Sequence, residues 1–386
     1  MAWYYILLIV LGGVAVVFVL LGVWENHALK RTHVAVASKK VPPMFEGYRI
    51  VQISDLHNAR FGKGQKKLAA LVVAAQPDII VVTGDLIDKR RPGTGNALRF
   101  AELAVRIAPV CYVAGNHEAK SKEFPRLKEA LEKLGVRILQ NAAVTLERKG
   151  ERIVLAGLSD ARFFTSDKKA FAEVSAQALR AFMPQDGAFT VLLAHRPELF
   201  SVYRAAGADL ALCGHAHGGQ FRIPFLGGLI APDQGLFPKY SEGLYCEEGK
   251  YMVVSRGLGT SWVPTRLNNG PEVVCVTLHR GAGNVSAAPA GSAEAAQRLI
   301  SRKTGRRNGK YRDISAAACY NTGRRQRYDA RRKAEKIPQR YGNDAGGTRR
   351  AAVRHARRRL KMGDGQGVSC HRQSQTHRAA HGLHAR

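Results

Sequence analysis

The sequence predicts an α/β fold, a four-layer α/β/β/α sandwich following one N-terminal transmembrane helix. Three observations carry that prediction. Five short apolar runs each stop at an Asp, Asn or His, and amphipathic stretches of helical period lie between several of them. After residue 135 the pattern shortens to strand-like runs joined by a Lys149-Gly150 turn, which adds a second sheet. Ahead of all of these, residues 2–24 contain no charged side chain.

As a helix, residues 2–24 would extend about 34 Å at ~1.5 Å per residue, enough for a hydrocarbon core of about 30 Å. Trp3, Tyr4, Tyr5 and Trp24 stand at its two ends, where aromatic side chains favour the membrane interface. No Lys or Arg precedes the run, and it is longer than a signal-peptide core, so residues 1–24 read as a retained anchor. Lys30, Arg31, Lys39 and Lys40 follow it, and the positive-inside rule then places the remainder in the cytoplasm. The expectation is a single-pass protein of the cell membrane. Residues 25–44, ending in Val41-Pro42-Pro43, read as a linker, and residues 45–281 as the folded domain.

Within that domain, Arg49 to Ser54 is the first strand-like run. Gly64 to Ala75 carries Leu68, Leu71, Val72 and Ala75 at helical spacing and ends near Pro77. Asp78-Ile79-Ile80-Val81-Val82-Thr83 reads as a strand buried on both faces, as in a parallel sheet covered by helices. Asn96 to Ala108 supplies the crossover that a following parallel strand, Val110 to Ala114, requires. Glu123 to Leu134 is a third amphipathic helix. Strands are expected at 136–139, 143–147 and 152–156, a helix over Phe171 to Met183, and strands at 189–194, 210–213, 251–255 and 272–278.

The ends of five runs hold the chemistry. Asp55-x-His57, Asp85, Asn116-His117, His195 and His215-x-His217 each follow a strand directly. Ligands in open α/β sheets sit beyond the carboxyl ends of the strands, so these side chains converge on one pocket. Asp-x-His or His-x-His alone would mean little. Two carboxylates, an Asn and several His in one ordered set make a metal site. Oxygen and nitrogen donors of this mix suit Mn, Fe or Zn without choosing among them.

Composition bounds the alternatives. The 386 residues carry a formal charge of +30 and six cysteines, with Cys111, Cys213 and Cys275 inside apolar runs and no C-x-x-C pair. That excludes a disulfide scaffold. Residues 282–386 hold 25 Lys and Arg against 6 Asp and Glu with no sustained period, so they read as a basic, disordered tail or as a reading frame running past its natural end. Without the tail the charge is still +11, suited to an anionic substrate.

Asp55-x-His57, Gly84-Asp85-x-x-Asp88, Gly115-Asn116-His117-Glu118, His195 and Gly214-His215-x-His217 together resemble, in order, the signature of calcineurin-like metallophosphoesterases over roughly residues 45–280. Ser54-Asp55-Leu56-His57, Ala194 to Glu198, Gly218-Gly219-Gln220 and Arg256 to Gly259 look like the bacterial branch with a single N-terminal transmembrane helix. Lys89 after Asp88, where Arg is frequent, and Ala216, where Thr is frequent, depart from that pattern at positions that are not ligands. The resemblance implies two divalent metal ions: Asp55, His57 and His217 on the first, Asn116, His195 and His215 on the second, and Asp85 bridging. It also implies His117 as the group acting on the leaving oxygen, with Glu118 orienting it or a ligand and Asp88 supporting the loop. Arg60, Arg196 and Arg256 are candidate phosphate contacts.

The function this implies is a membrane-anchored phosphoester hydrolase. Its substrate is left open between a soluble phosphoester and a lipid-linked phosphoester or pyrophosphate, such as a UDP-diacylglucosamine-type compound. Residues 221–244 bear on that choice: they place Phe221, Ile223, Phe225, Leu226, Leu229, Ile230, Leu236, Phe237 and Tyr240 among Gly and Pro directly after the His motif, either as a rim for an acyl chain or as a loop folded on the core. A soluble-substrate phosphodiesterase or nuclease and a catalytically inactive binding protein on the same fold are the alternatives. Seven filled ligand positions oppose the last, and the absence of a nucleic-acid module opposes the nuclease.

Overall fold

In the computed structural model of the chain, residues 2–260, 265–281 and 287–289 are described, all within the first of two compact units, Met1–Arg324. The basic tail expected over 282–386 lies outside the described residues except at 287–289.

In chain order the elements are helix α1 (Ala2–His27), β1 (Lys30–Ser38), β2 (Arg49–Ile53), α2 (Lys66–Ala75), β3 (Ile79–Thr83), α3 (Gly95–Ala104), β4 (Val110–Val113), α4 (Phe124–Lys133) and β5 (Arg137–Ile138). Then follow β6 (Ala142–Arg148), β7 (Glu151–Gly157), α5 (Phe171–Phe182), β8 (Thr190–Leu193), α6 (Phe200–Ala205) and β9 (Leu210–Cys213). Four two-residue strands, β10 (Arg222–Ile223), β11 (Gly227–Gly228), β12 (Ile230–Ala231) and β13 (Gly235–Leu236), make two small hairpins. The chain continues through β14 (Gly243–Glu247), β15 (Lys250–Val254), β16 (Glu272–Arg280) and β17 (Ala287–Pro289).

One sheet runs β17-β1-β16-β2-β3-β4-β5, with β2 to β5 parallel; the other runs β14-β15-β9-β8-β7-β6, with β15, β9, β8 and β7 parallel. Alternation along the strands sorts side chains into three cores. Ile50, Val81 and Val113 meet Leu155, Val191 and Leu212 between the sheets. On the outer face of the first sheet, Val51, Ile80 and Val82 pack under Leu68, Val72 and Phe100 of the helices. Leu192, Ala211 and Met252 of the second pack under Leu179, Phe200 and Tyr203. Two sheets face to face with helices outside is the α/β/β/α sandwich expected. Gln52 fastens the two halves beneath the strand ends, its Nε2 donating to Thr83 Oγ1 at 3.0 Å and to the Cys213 carbonyl at 2.8 Å.

Two boundaries differ from expectation. Residues 25–44 are not a linker: they contain β1, which pairs in parallel with β16 along its whole length and buries Val34 and Val36. Its basic start, Lys30-Arg31, lies at the exposed end of the strand and disguises it as a juxtamembrane segment. The transmembrane helix expected over 1–24 is a helix, α1, but among the described residues no helix is long and apolar enough to cross a membrane. The side chains at positions 2, 14, 15, 18, 19, 21 and 23 lie outside the described residues.

Candidate metal centre

Each candidate ligand sits where its strand stops. The backbone turns sharply there, and Asp55, His57, Asp85, His215 and His217 all have φ between 46° and 66°. Left-handed backbone at Asp or His costs about 1–3 kcal/mol per residue and persists where the surroundings over-determine it. The glycines beside them allow the close approach: a Cβ on Gly84 would lie 2.6 Å from His195 Nδ1 and 2.8 Å from Gly115 Cα.

The side chains form two groups around one carboxylate. Donor atoms of Asp55, His57 and His217 lie within 4.8 Å of one another, as do those of Asp85, His195 and His215. His57 Nε2 and His217 Nε2 face each other at 3.2 Å, with Asp55 Oδ1 3.4 Å from the latter. Asp85 Oδ2 lies 3.7 Å from His57 Nε2 and 3.2 Å from His195 Nε2, between the two groups. Asn116 contributes a buried Oδ1 with no hydrogen-bond partner among the described residues.

These donors fit metal ions. Burial lowers the pKa of His57 to about 3, and burial with the neighbouring His57 and Arg266 charges lowers that of His217 well below the ordinary histidine value. Two neutral imidazole nitrogens at 3.2 Å share at best one hydrogen bond, whereas a cation between them uses both lone pairs. His195 Nδ1 donates to the Thr83 carbonyl at 2.8 Å, so once the ring gives up a proton it is Nε2 that is left as the acceptor. Its pKa is pushed up to about 10: burial opposes the charge and the Asp85 carboxylate outweighs it. The field at this point therefore favours positive charge. The orphaned Asn116 Oδ1 makes the same case, since a buried amide oxygen is costly unless something binds it.

Around this set the chain holds its loops rigidly. Glu118 is buried; its Oε2 accepts from the N–H groups of Asp85 and Gly115, each at 2.8 Å, and its Oε1 from Ile87 at 3.2 Å. It thus ties the β3 and β4 loops together, an orienting role and not a surface one. His117 N–H donates to Asp85 Oδ1 at 2.8 Å. The His117 ring stands 4.5 Å from the His57 ring, with Nδ1 3.2 Å from Asp88 Oδ1. Asp88, expected to support the loop, also faces His117 and is held by both Arg90 and Arg91.

The candidate phosphate contacts separate. Arg196 is 2% exposed and paired with Asp160 at 2.8 Å, Glu198 at 3.1 Å and Asp233 at 2.5 Å, so it is a structural tie. Arg256 is paired with Glu242 and Glu272. Arg60 is exposed and lines an open cleft of about 650 Å³ with His27, Lys63 and Lys67.

Several residues near the donors gave no signal in the sequence. Asp233, in the segment after β11, places Oδ2 3.3 Å from His215 Nε2 and pairs with Lys168 at 2.5 Å. Arg266, 1% exposed, donates to the Arg256 carbonyl at 2.9 Å and also to the Gly259 carbonyl, and its Nη2 stands 3.5 Å from His217 Nδ1. Asn269 Nδ2 donates to the His217 carbonyl at 2.6 Å.

Comparison with known proteins gives the family. The calcineurin-like phosphoesterase family profile matches residues 48–219. An uncharacterized metallophosphoesterase of Bacillus subtilis, YkuE, is 30% identical over 260 residues, covering 66% of this chain and 87% of that protein. The phosphodiesterase YaeI of Escherichia coli is 29% identical over 243 residues, covering 60% and 82%. A transmembrane protein with metallophosphoesterase domain from Danio rerio is 25% identical over 259 residues, covering 64% and 57%. The order of the strand-end donors, their clustering and these similarities lead to one conclusion: the chain belongs to the calcineurin-like metallophosphoesterases and is a metal-dependent phosphoester hydrolase with a dinuclear divalent metal centre.

Proposed function

We propose that the chain hydrolyses a phosphoester or pyrophosphate bond in a lipid-linked substrate presented at a membrane surface. The observation that carries this reading is the segment leaving the site. Directly after His217 the chain enters the β10–β13 hairpins, where Phe225 is fully exposed and Leu226, Leu236 and Phe237 are 67%, 66% and 59% exposed. Exposed apolar patches beside a site mark contact with a partner, a ligand or a membrane. Large apolar side chains are also exposed along α1, among them Trp3, Ile9, Leu20 and Trp24. The name of the Danio rerio relative is in keeping with membrane attachment. In this reading α1 seats in the cell membrane and the basic stretch from Lys30 keeps the domain on the cytoplasmic side.

For the reaction we assign Asp55, His57 and His217 to one ion, Asn116, His195 and His215 to the other, and Asp85 to both. Two divalent ions held there supply positive charge to the phosphoryl oxygens and lower the pKa of an attacking water. The chain's own residues set the rest. Asp55 and Asp85 are the only carboxylates in the set, so the loaded site keeps positive charge for an anionic substrate. His117, steadied by Asp88, delivers a proton to the leaving oxygen. Asp233 on His215 and the Thr83 carbonyl on His195 hold two of the imidazoles in place.

The test compares a soluble aryl phosphodiester with a long-chain lipid pyrophosphate in vesicles, using the full chain and Mn²⁺. The lipid substrate is expected to show the higher kcat/KM, and chelation to abolish both activities. A preference for the soluble diester overturns the lipid reading and leaves the phosphoesterase chemistry standing.

A further inference from the structure

The last turn of α1 is sewn to the loop that backs His217. Glu25, 8% exposed, accepts the N–H of Asn268 on Oε2 and that of Asn269 on Oε1, each at 2.7 Å. Asn268 has φ 52°, which turns the two successive N–H groups toward a single carboxylate. Next to it, Asn26 Oδ1 accepts the N–H of Arg266 at 3.1 Å. One turn earlier the helix approaches so closely that a Cβ on Gly22 would collide with the Thr265 side chain. The other side of the same loop faces the donors. Asn269 Nδ2 donates to the carbonyls of His217 at 2.6 Å and Gln220 at 3.0 Å, and Gln220 Nε2 returns a bond to the Thr265 carbonyl at 3.0 Å. His217 carries a left-handed backbone, φ 48°, that something must hold.

We propose that Glu25 is a positioning residue of the metal centre: it clamps Asn268 and Asn269, Asn269 fixes the His217 backbone, and α1 is thereby part of the site. The inference rests on His217 holding one of the two ions. A helix that only tethered the domain would need no buried carboxylate aimed at this loop. The contacts are also specific to it, because both Glu25 oxygens and the Asn26 amide oxygen are used within residues 266–269.

The experiment titrates Mn²⁺ into the full chain in lipid nanodiscs, followed by calorimetry and electron paramagnetic resonance. Wild type is expected to bind two ions with a coupled-pair spectrum; uptake of fewer than two overturns the dinuclear reading itself, before any variant is made. Glu25→Ala should weaken one of the two ions by about 10–100-fold, the effect typical of losing an outer partner of a ligand, and give the spectrum of an isolated ion. Glu25→Gln keeps the shape and one acceptor oxygen and should lose less at the same position. Glu46→Ala is the structural control: Glu46 accepts the N–H of Arg280 at 2.6 Å, at the far end of β16, so its loss should lower Tm without moving metal affinity. Wild-type affinity for both ions in Glu25→Ala, or an equal loss at both ions that accompanies a fall in Tm, overturns the proposal.

Discussion

Asp88 Oδ1 lies 3.2 Å from His117 Nδ1, while the N–H of His117 donates to Asp85 Oδ1 at 2.8 Å. Ring and backbone are therefore held by two different carboxylates, one of them the residue between the two donor groups. A histidine fixed this way is suited to hand a proton to a leaving oxygen. His117→Ala should keep its metal content and lose about 10²–10⁴-fold in kcat. The defect should shrink for a nitrophenolate leaving group, which needs no proton. Asp88→Asn should follow the same pattern more weakly. Equal losses on good and poor leaving groups would assign His117 to substrate binding instead.

Asp85→Asn and His217→Ala should each abolish hydrolysis while circular dichroism stays close to wild type. Asp85 Oδ2 lies within 3.7 Å of His57 Nε2 and 3.2 Å of His195 Nε2, one from each group, and His217 makes the 3.2 Å pair with His57. Metal content by mass spectrometry should fall together with activity on an aryl phosphodiester. Near-normal turnover in either variant removes the two-ion assignment.

Metal uptake should release a proton. In the metal-free chain His195 titrates near 10, burial opposing its charge and Asp85 outweighing burial, so at neutral pH Nε2 carries a proton. An ion bound at Nε2 must displace it. Apparent affinity should then rise with pH through the neutral range, by up to about tenfold per unit for one proton. Calorimetry in two buffers of different ionisation enthalpy counts the protons directly. A count of zero would place His195 outside the donor set.

The strand-end donors were legible only as a set: one Asp or His after a strand is an ordinary turn residue, whereas two carboxylates, an Asn and several His at the same structural position are not. The core strands Ile79–Thr83 and Leu210–Cys213 are continuous apolar runs and lie where their composition places them. β1 was not legible: its burial is partial, with only Val34, Val36 and Ala37 inside, and its first two residues are basic. The supporting residues were not legible for a different reason. Glu25 and Asn269 are 244 positions apart, and Arg196 meets Asp160 and Asp233 from distances of 36 and 37 positions. Loop charges carry no periodicity, so only the fold reveals that Arg196 is already paired and withdrawn from any phosphate.

The position of β1 makes a truncation informative. A chain beginning at residue 41 loses a strand that pairs along all of β16 and buries Val34 and Val36, each worth about 1.5–3 kcal/mol. It also leaves β16 as an unpaired edge, which favours aggregation. Its thermal transition should fall by more than about 10 °C or lose cooperativity. A chain beginning at residue 28 keeps β1 but lacks Glu25, and should remain folded while binding metal less tightly. Identical melting of the 41-start chain and the full chain would show that β1 contributes nothing to stability.

The proposed lipid-linked substrate can be tested at the hairpins after His217. Their inner side is fastened: Ala231 and Tyr240 are buried, and Asp233 is held by Arg196 and Lys168. The rest is not, since Phe225 and Leu226 at the first turn, Leu236 in β13 and Phe237 directly after it are exposed. A loop folded only for stability would have turned these four side chains inward. If the substrate carries an acyl chain, as proposed, contact with such a rim would contribute about 0.8 kcal/mol per buried CH₂. Replacing Phe225 and Leu226 together by Ser removes that contact without touching a donor or a fastening residue. KM for a long-chain lipid substrate should rise by about tenfold or more, the effect of losing about two such CH₂ contacts, with kcat nearly unchanged. Turnover of a water-soluble aryl phosphodiester should be spared. Equal effects on both substrates would make the hairpins part of the general scaffold and leave a soluble phosphodiester as the better substrate.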